Sequence, residues 1–370
     1  MSDPSPKKRI AIFISFSGQG GVEHMVGKLA GGFLDAGLAV DLVLARAEGE
    51  HLATLPEGVR IVKLGVRHTL LALPGLVRYL RTCQPDALLA AKERAIRIAI
   101  LARWLSGSKA RLAGRLGTTV SAALKDKSAL RRWFWYSGMK LFHPCMDTVI
   151  AVSQGVKDDI RAITGLPDDH IRVIPNPVIT PDLYQKAAEA VRHPWLETSD
   201  IPVIMGMGRL TRQKGFPDLI RAFAQLRQHI PARLILIGEG KDRGSLQELA
   251  ETLGVAADVE LIGFRQNPYP LVARASLFVL SSLWEGSPNV LTEALALGRP
   301  VVATDCPSGP REVLAGGQFG PLVPVGDVAA LAQAMRATLE KPLDATTLQS
   351  AVTEYTVARS SRRYMDALGL

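Results

Sequence analysis

Met205-Gly206-Met207-Gly208-Arg209-Leu210-Thr211-Arg212-Gln213-Lys214-Gly215-Phe216 is the stretch that decides how the rest of the chain reads. It completes an apolar run begun at Val203, turns through a basic loop bearing glycines, and enters a helical pattern over Pro217–Leu226. A short apolar run, a glycine turn and a helix make one strand–helix unit of a parallel sheet. Ligands of open parallel sheets bind outside the carboxyl ends of the strands. Arg209 and Lys214 therefore stand where two cations can clamp a diphosphate. Taken alone, the segment reads equally well as a solvated basic loop.

Downstream the unit repeats. Strands are expected near Arg233–Ile237, Val259–Leu261, Leu277–Leu280 and Val301–Thr304, with helices over Ser245–Leu253, Asn289–Ala296 and Val328–Leu339. Upstream, strands fall near Arg9–Phe16, Ala39–Ala45, Val59–Leu64, Ala87–Ala90, Arg111–Gly114 and Thr148–Ser153. Helical patterns there cover Glu23–Leu34, Leu70–Arg81, Arg94–Leu105 and Gln154–Ile163. Continuous apolar strands alternating with helices mean parallel sheets covered on both faces, here two of them. The join is expected around Pro175-Asn176-Pro177, where two prolines exclude both helix and central strand. Tyr355 to Leu370 is an amphipathic helix left over once the second sheet is complete.

A chain of 370 residues suits two such domains. With 47% hydrophobic and 21% charged residues it is an ordinary globular sequence, which excludes disordered, collagenous and coiled-coil classes. Three widely spaced cysteines, Cys83, Cys145 and Cys306, offer neither a disulfide framework nor metal-ligand spacing. A reducing, cytoplasmic location is the expectation. The apolar run Ile10 to Phe16 is too short for a signal-peptide core. No run reaches the roughly 18 apolar residues of a transmembrane helix.

Two further loops bear on chemistry. The first strand ends in Ser15-Phe16-Ser17-Gly18-Gln19-Gly20-Gly21-Val22-Glu23, a glycine turn that lets backbone approach a phosphate at a helix N-terminus. It reads as a dinucleotide fingerprint, with Asp41 on the ribose, or as a tight turn; Glu23 stands where the fingerprint needs its third glycine. The second is Leu280-Ser281-Ser282-Leu283-Trp284-Glu285-Gly286-Ser287-Pro288-Asn289-Val290-Leu291-Thr292-Glu293-Ala294. Ser287 suits an N-cap and Pro288 the first helical position. The amides from Gly286 to Val290 are then expected to converge at the positive end of a helix, with Glu285 and Glu293 flanking that anion site.

Together these segments resemble glycosyltransferase family 4, retaining enzymes of the GT-B fold. The resemblance is carried by Gly208-Arg209-Leu210 with Lys214-Gly215, Ile237-Gly238-Glu239-Gly240, Leu261-Ile262-Gly263-Phe264 and Ser282-Leu283-Trp284-Glu285-Gly286. Glu293-Ala294-Leu295-Ala296-Leu297-Gly298-Arg299-Pro300-Val301-Val302-Ala303-Thr304 and Gly320-Pro321-Leu322-Val323-Pro324 complete it. It implies an α/β architecture of two Rossmann-like domains facing across a cleft. Residues 1–178 would bind the acceptor and 179–354 a nucleotide-sugar donor, while 355–370 would form a helix crossing back to the first domain. It further implies that Arg209 and Lys214 bind the donor diphosphate, Glu285 faces the transferred sugar and Glu293 holds the ribose. Gly208, Gly286, Ser287, Pro288, Asn289 and Val290 would line the donor, and Gly20 and Gly21 belong to a loop that closes over it. That loop role displaces the dinucleotide reading. Many relatives place a histidine after the strand Arg111–Gly114; here Arg115 or Thr118 stands in its place. No Asp-x-Asp triplet occurs, so neither a metal nor another cofactor is expected. Front-face retention and a covalent step on Glu285 both stay open, as do a non-catalytic nucleotide-sugar sensor and a sugar-nucleotide epimerase.

The charge is unevenly placed. Residues 1–180 hold 25 Lys and Arg against 15 Asp and Glu, residues 181–370 hold 19 against 20, and residues 60–140 alone hold 17 against 3. Leu130-Arg131-Arg132-Trp133-Phe134-Trp135-Tyr136 sets aromatics beside those cations, a mixture that suits a membrane interface. Arg131, Arg132, Trp133 and Trp135 are thus candidates for an anionic acceptor or a bilayer, against the plainer reading of a solvated basic face. Nothing else supports nucleic acid. Assembly of lipopolysaccharide or another cell-envelope glycan is the expected setting.

Overall fold

The computed structural model describes residues 7–17, 21–48, 52, 55–197 and 200–370. Backbone contacts divide the chain into two units, Met1–Val178 with Glu354–Leu370, and Ile179–Thr353. Among the described residues, no helix is long and apolar enough to cross a membrane.

The first unit is built on β1 (Arg9–Ser17), β2 (Ala39–Glu48), β3 (Arg60–Lys63), β4 (Ala87–Ala91), β5 (Arg111–Leu116), β6 (Thr148–Ala151) and β7 (Ile171–Val173). They form one parallel sheet in the order β3-β2-β1-β4-β5-β6-β7. Both faces are buried, as continuous apolar strands require. Ala11 and Phe13 of β1, with Leu88 and Ala90 of β4, enter one core; Ile10, Ile12 and Ile14, with Ala87 and Leu89, enter the other. The helix Val357–Leu368 completes this second core with Tyr364, Ala367 and Leu368. It lies so close to the helix Gly21–Asp35 that a Cβ on Gly32 would meet Ser361 Oγ at 2.1 Å. The C-terminal segment thus belongs to the first unit.

Asp41 binds that unit together. Its buried carboxylate on β2 accepts from Arg9 at 2.9 Å, from Arg60 Nε at 2.8 Å and from the Tyr79 hydroxyl at 2.6 Å. Burial alone would raise its pKa, but the hydrogen bonds of Arg60 and Tyr79 and the two positive charges prevail and hold it below the ordinary carboxylate range. With three partners already in place, Asp41 is a structural lock and no ribose ligand, which removes the anchor of the dinucleotide reading.

The second unit carries β8 (Val203–Met207), β9 (Arg233–Ile237), β10 (Val259–Gly263), β11 (Leu277–Leu280), β12 (Val301–Thr304) and β13 (Leu322–Val323). They are parallel, in the order β10-β9-β8-β11-β12-β13. Four of these strands match the expected bounds, because their apolar runs end at glycine or a polar residue. The two- and three-residue strands β13 and β7 carry too little pattern to be seen in sequence, and β5 runs on to Leu116, so Arg115 lies within the strand. In both sheets the order reverses beside the first strand, between β1 and β4 and between β8 and β11. Such a reversal leaves a crevice at the carboxyl ends, where ligands bind.

Candidate active site

In the second unit the crevice is framed by the loops after β8 and β11, and each locks the other. Gly215 closes the first loop at φ +61°, a left-handed conformation that suits glycine. A Cβ there would stand 2.0 Å from the Ser281 carbonyl oxygen, so only glycine admits this approach. Ser281 Oγ donates to the Lys214 carbonyl at 2.8 Å, the Leu283 amide donates to the Gln213 carbonyl at 2.8 Å, and Gln213 Nε2 donates to the Trp284 carbonyl at 3.0 Å.

These contacts bring the two sequence motifs face to face. Lys214 Nζ donates to Glu285 Oε1 at 2.6 Å, and Ser282 Oγ donates to the same oxygen at 2.7 Å. Lysine and glutamate are both largely buried here, with side chains 15% and 8% exposed. Ser282 in turn is held through its carbonyl, which accepts from Thr304 Oγ1 at 2.6 Å. The Glu285 charge is felt by Cys306, whose thiol is pushed up to about 12 by burial first and by that carboxylate second. The Arg209 side chain, by contrast, is exposed and has no hydrogen-bond or ion-pair partner among the described residues. One cation of the proposed clamp is thus committed to a carboxylate, and the other stands open to an anion.

The helix Asn289–Ala296 begins where the anion site is expected, with a different cap. Pro288, not Ser287, takes the N-cap position, at φ −79° and ψ 89°, and no side chain caps the helix. Ser287 Oγ is buried without a partner among the described residues. The reason is the approach of the segment after β12. Ser308 Oγ donates to the Gly286 carbonyl at 3.0 Å, and a Cβ on Gly309 would meet Pro288 Cδ at 2.6 Å, so the loop cannot fold back into a serine cap. Proline has no N–H, so the amides at this end are those of Gly286, Ser287, Asn289 and Val290. The helical ladder starts with Leu291 and Thr292 donating to the Pro288 carbonyl.

Glu293 is buried one turn into that helix and accepts from the Tyr269 hydroxyl at 3.1 Å. The Tyr269 phenol is held well above its ordinary pKa by burial, then by the Glu293 charge and their hydrogen bond, so it stays a donor. Tyr269, Ser282 and Ser308 were not legible as site residues. Tyr269 sits in Asn267-Pro268-Tyr269-Pro270, which reads as a turn and nothing more.

In the first unit the candidates separate. Gly20 lies outside the described residues. Gly21 opens the helix Gly21–Asp35 with open space where a Cβ would be. Arg115 is buried, and its guanidinium donates to Asn176 Oδ1 at 2.7 Å. Thr118 is half-buried two residues beyond β5. His143 is fully buried, with Nε2 2.9 Å from Glu93 Oε2, and serves the core. Leu130 to Tyr136 does not form one face, because it lies on the helix Ala129–Phe142, where successive residues point about 100° apart. Trp133 and Arg131 face outward. Arg132 folds back to the Lys125 carbonyl at 3.4 Å, and Trp135 turns inward beneath the Arg97 guanidinium, 5.3 Å from its ring centroid. Among the described residues, no group of three or more His, Cys, Asp or Glu side chains is placed to hold a metal ion.

Comparison with known proteins assigns both units. The family described as Glycosyltransferase Family 4 matches residues 19–181, and that described as Glycosyl transferases group 1 matches residues 201–341. The N-acetylgalactosamine-N,N'-diacetylbacillosaminyl-diphospho-undecaprenol 4-alpha-N-acetylgalactosaminyltransferase of Campylobacter jejuni is 31% identical over 245 residues, 66% of this chain and 64% of the relative. The lipopolysaccharide core biosynthesis glycosyltransferase LpsD of Rhizobium meliloti is 27% identical over 335 residues, 89% of this chain and 88% of the relative. The chain spans about half the length of most curated relatives it matches. Among solved structures, Anabaena HepE in complex with UDP and glucose superposes with a TM-score of 0.80 at 21% identity, over 98% of this chain and 99% of that one. At that identity the likeness is one of fold.

Proposed function

Because the chain belongs to glycosyltransferase family 4 and has the GT-B fold, we propose that it transfers a sugar from a nucleoside-diphosphate sugar to a glycan or lipid-linked acceptor in the assembly of lipopolysaccharide or a related polysaccharide. The observation that carries this reading is the pairing of an open cation, Arg209, with the Lys214–Glu285 ion pair at the point where the second sheet reverses its strand order. The relatives named for lipopolysaccharide core and undecaprenol-linked glycan synthesis support the setting. Three free cysteines fit a reducing compartment.

The chemical task is to let a nucleoside diphosphate leave while the sugar carbon gains positive charge. Arg209 takes the diphosphate as it arrives. Lys214 exchanges part of its contact with Glu285 for a phosphate oxygen, and the amides around Gly286 and Val290 receive the distal phosphate at the positive helix end. Preorganised donors of this kind neutralise charge as it develops, so the side chains and helix end supply the stabilisation without a metal or other cofactor. Glu293, held by Tyr269, accepts from the vicinal ribose hydroxyls. Glu285 faces the sugar. Held by Lys214 and Ser282 and largely buried, it suits a fixed negative charge beside the cationic sugar better than a nucleophile that must move onto the reacting carbon. We therefore favour front-face transfer with retention, the leaving phosphate accepting the proton of the acceptor hydroxyl.

A panel of nucleotide sugars tests this. The correct donor should raise the melting temperature and be hydrolysed slowly without acceptor, and Arg209→Ala should weaken the first effect and slow the second by about a hundredfold or more. Binding with no turnover on any glycan or lipid-linked acceptor would turn the reading into a sensor. Conversion of the donor to its sugar epimer without acceptor would turn it into an epimerase.

A further inference from the structure

The helix Ala129–Phe142 has a face that its own unit leaves uncovered. Leu130, Trp133, Phe134 and Leu141 are 75%, 64%, 65% and 69% exposed, although each is large and apolar. At 3.6 residues per turn these four side chains fall within about 100° of the helix circumference. They make one stripe, with Ser137 completing it. Met139, on the opposite side, is fully buried. The inward side is also occupied by Arg97, whose guanidinium lies over Trp135 and Phe142 and packs against Gly138. The helix cannot roll its apolar stripe into the core, because its core side is already filled.

Cations flank the stripe. Arg131 borders it on one side and Lys140 on the other, and Lys125 and Lys127 are exposed in the turn before the helix. Across residues 125–141 the one acidic residue is Asp126. A second copy of this chain fits poorly, because a two-fold pairing of the stripe would set each basic flank against another basic surface. An anionic bilayer meets both requirements, with acyl chains for the rings and leucines and headgroup charge for the lysines and arginines.

We propose that Leu130, Trp133, Phe134 and Leu141 enter the interface of an anionic lipid bilayer, with Arg131, Lys140, Lys125 and Lys127 on its headgroups, so that the first unit lies on the membrane along this helix. The surface is argued on its own residues; its use in presenting a lipid-linked acceptor rests on the transfer reading above.

The test is cosedimentation of the full chain with phosphatidylcholine vesicles carrying about 30% phosphatidylglycerol, against phosphatidylcholine alone, at about 50 mM and 500 mM salt. Binding to the anionic vesicles at low salt should exceed that to neutral ones by about tenfold. The double variant Trp133→Ser/Phe134→Ser should lose about tenfold or more of it while melting cooperatively at the wild-type temperature. Arg131→Glu/Lys140→Glu should remove most of the salt-sensitive part. Wild-type protein that ignores anionic vesicles, or a Trp133→Ser/Phe134→Ser variant that binds as well as wild type, overturns the proposal. So does a solution dimer that this variant dissociates and that binds no vesicle. The assay contains no donor or acceptor, so its failure leaves the transfer reading standing, and absent turnover leaves the vesicle result standing.

Discussion

Asp41, on a strand of the first unit, and Glu285, in a loop beyond a strand of the second, are both buried carboxylates, and they are held in opposite ways. Asp41 accepts from Arg9, Arg60 and Tyr79, so both of its oxygens are bound by groups of its own sheet and the helix Leu73–Cys83. Glu285 accepts from Lys214 and Ser282, and five residues before Lys214 stands Arg209, whose exposed side chain has no hydrogen-bond or ion-pair partner among the described residues. A carboxylate fully surrounded by donors is settled; nothing arriving from outside improves its position. An ion pair beside an uncommitted cation, at the carboxyl edge of a sheet, is arranged for a further charge. Two sheets of the same winding thus hold buried charge in two ways, closed on itself in the first unit and, on the transfer reading proposed above, ready for chemistry in the second.

The contrast breaks first at Arg209. Arg209→Ala should lower turnover about a hundred- to a thousandfold, the usual cost of one preorganised charge-stabilising donor. Because Arg209 touches nothing that holds the fold, stability should stay within about 0.5 kcal/mol of wild type in urea titrations. A variant that unfolds, or that turns over normally, would place Arg209 with Asp41 and not opposite it.

Asp41→Asn should do the reverse, costing about 2–4 kcal/mol of stability while leaving turnover within about twofold once folded. The estimate lies at the lower end for breaking a buried pair, because Arg9 and Arg60 keep contact with water. The pH dependence has a definite sign. The native carboxyl is held below its unfolded value of about 3.9. Its contribution is therefore complete above that value and is lost as pH falls through the depressed native pKa. The stability gap between wild type and Asp41→Asn should be constant from about pH 7 to pH 5 and shrink below about pH 4. A gap that widens on acidification contradicts the assignment.

The same contrast explains what was legible beforehand. Strands such as Val203–Met207 and Leu277–Leu280 could be bounded from sequence because apolar runs stop sharply at glycine or serine, and local chemistry alone sets those ends. Arg209, Lys214, Glu285 and Glu293 were visible because each lies in a short motif beside a strand or helix end. Their partners were not. Tyr269 reaches Glu293 from 24 residues away, and Ser308 reaches Gly286 from 22, contacts that exist only after the sheet has formed. The Ser287 cap failed for the same reason, since a distant segment around Gly309 decides how that loop closes. Leu130 to Tyr136 stood out for its aromatics and cations but not as part of a helix, because the apolar residues of Ala129–Phe142 face outward and the usual correspondence between hydrophobic pattern and core breaks down there.

Tyr269 gives a smaller effect. Tyr269→Phe removes one hydrogen bond to Glu293 and keeps the ring in its buried place, so donor KM should rise about threefold to tenfold with kcat nearly unchanged. If kcat fell and KM did not, Glu293 would be acting on the transition state and not on the bound nucleotide.

The least demanding comparison uses the cysteines. Cys306 lies beside the Glu285 carboxylate, buried, with its thiol pushed up to about 12, whereas Cys145 is exposed. The thiolate is the reactive form. A chloroacetamide reagent at about pH 8 should therefore label Cys145 and spare Cys306 in the folded protein, and only unfolding should make the two react alike. Should Cys306 react in the native state, the burial that chiefly raises its pKa is open to the reagent, and the packing around the Lys214–Glu285 pair is looser than the enclosed charge at Asp41.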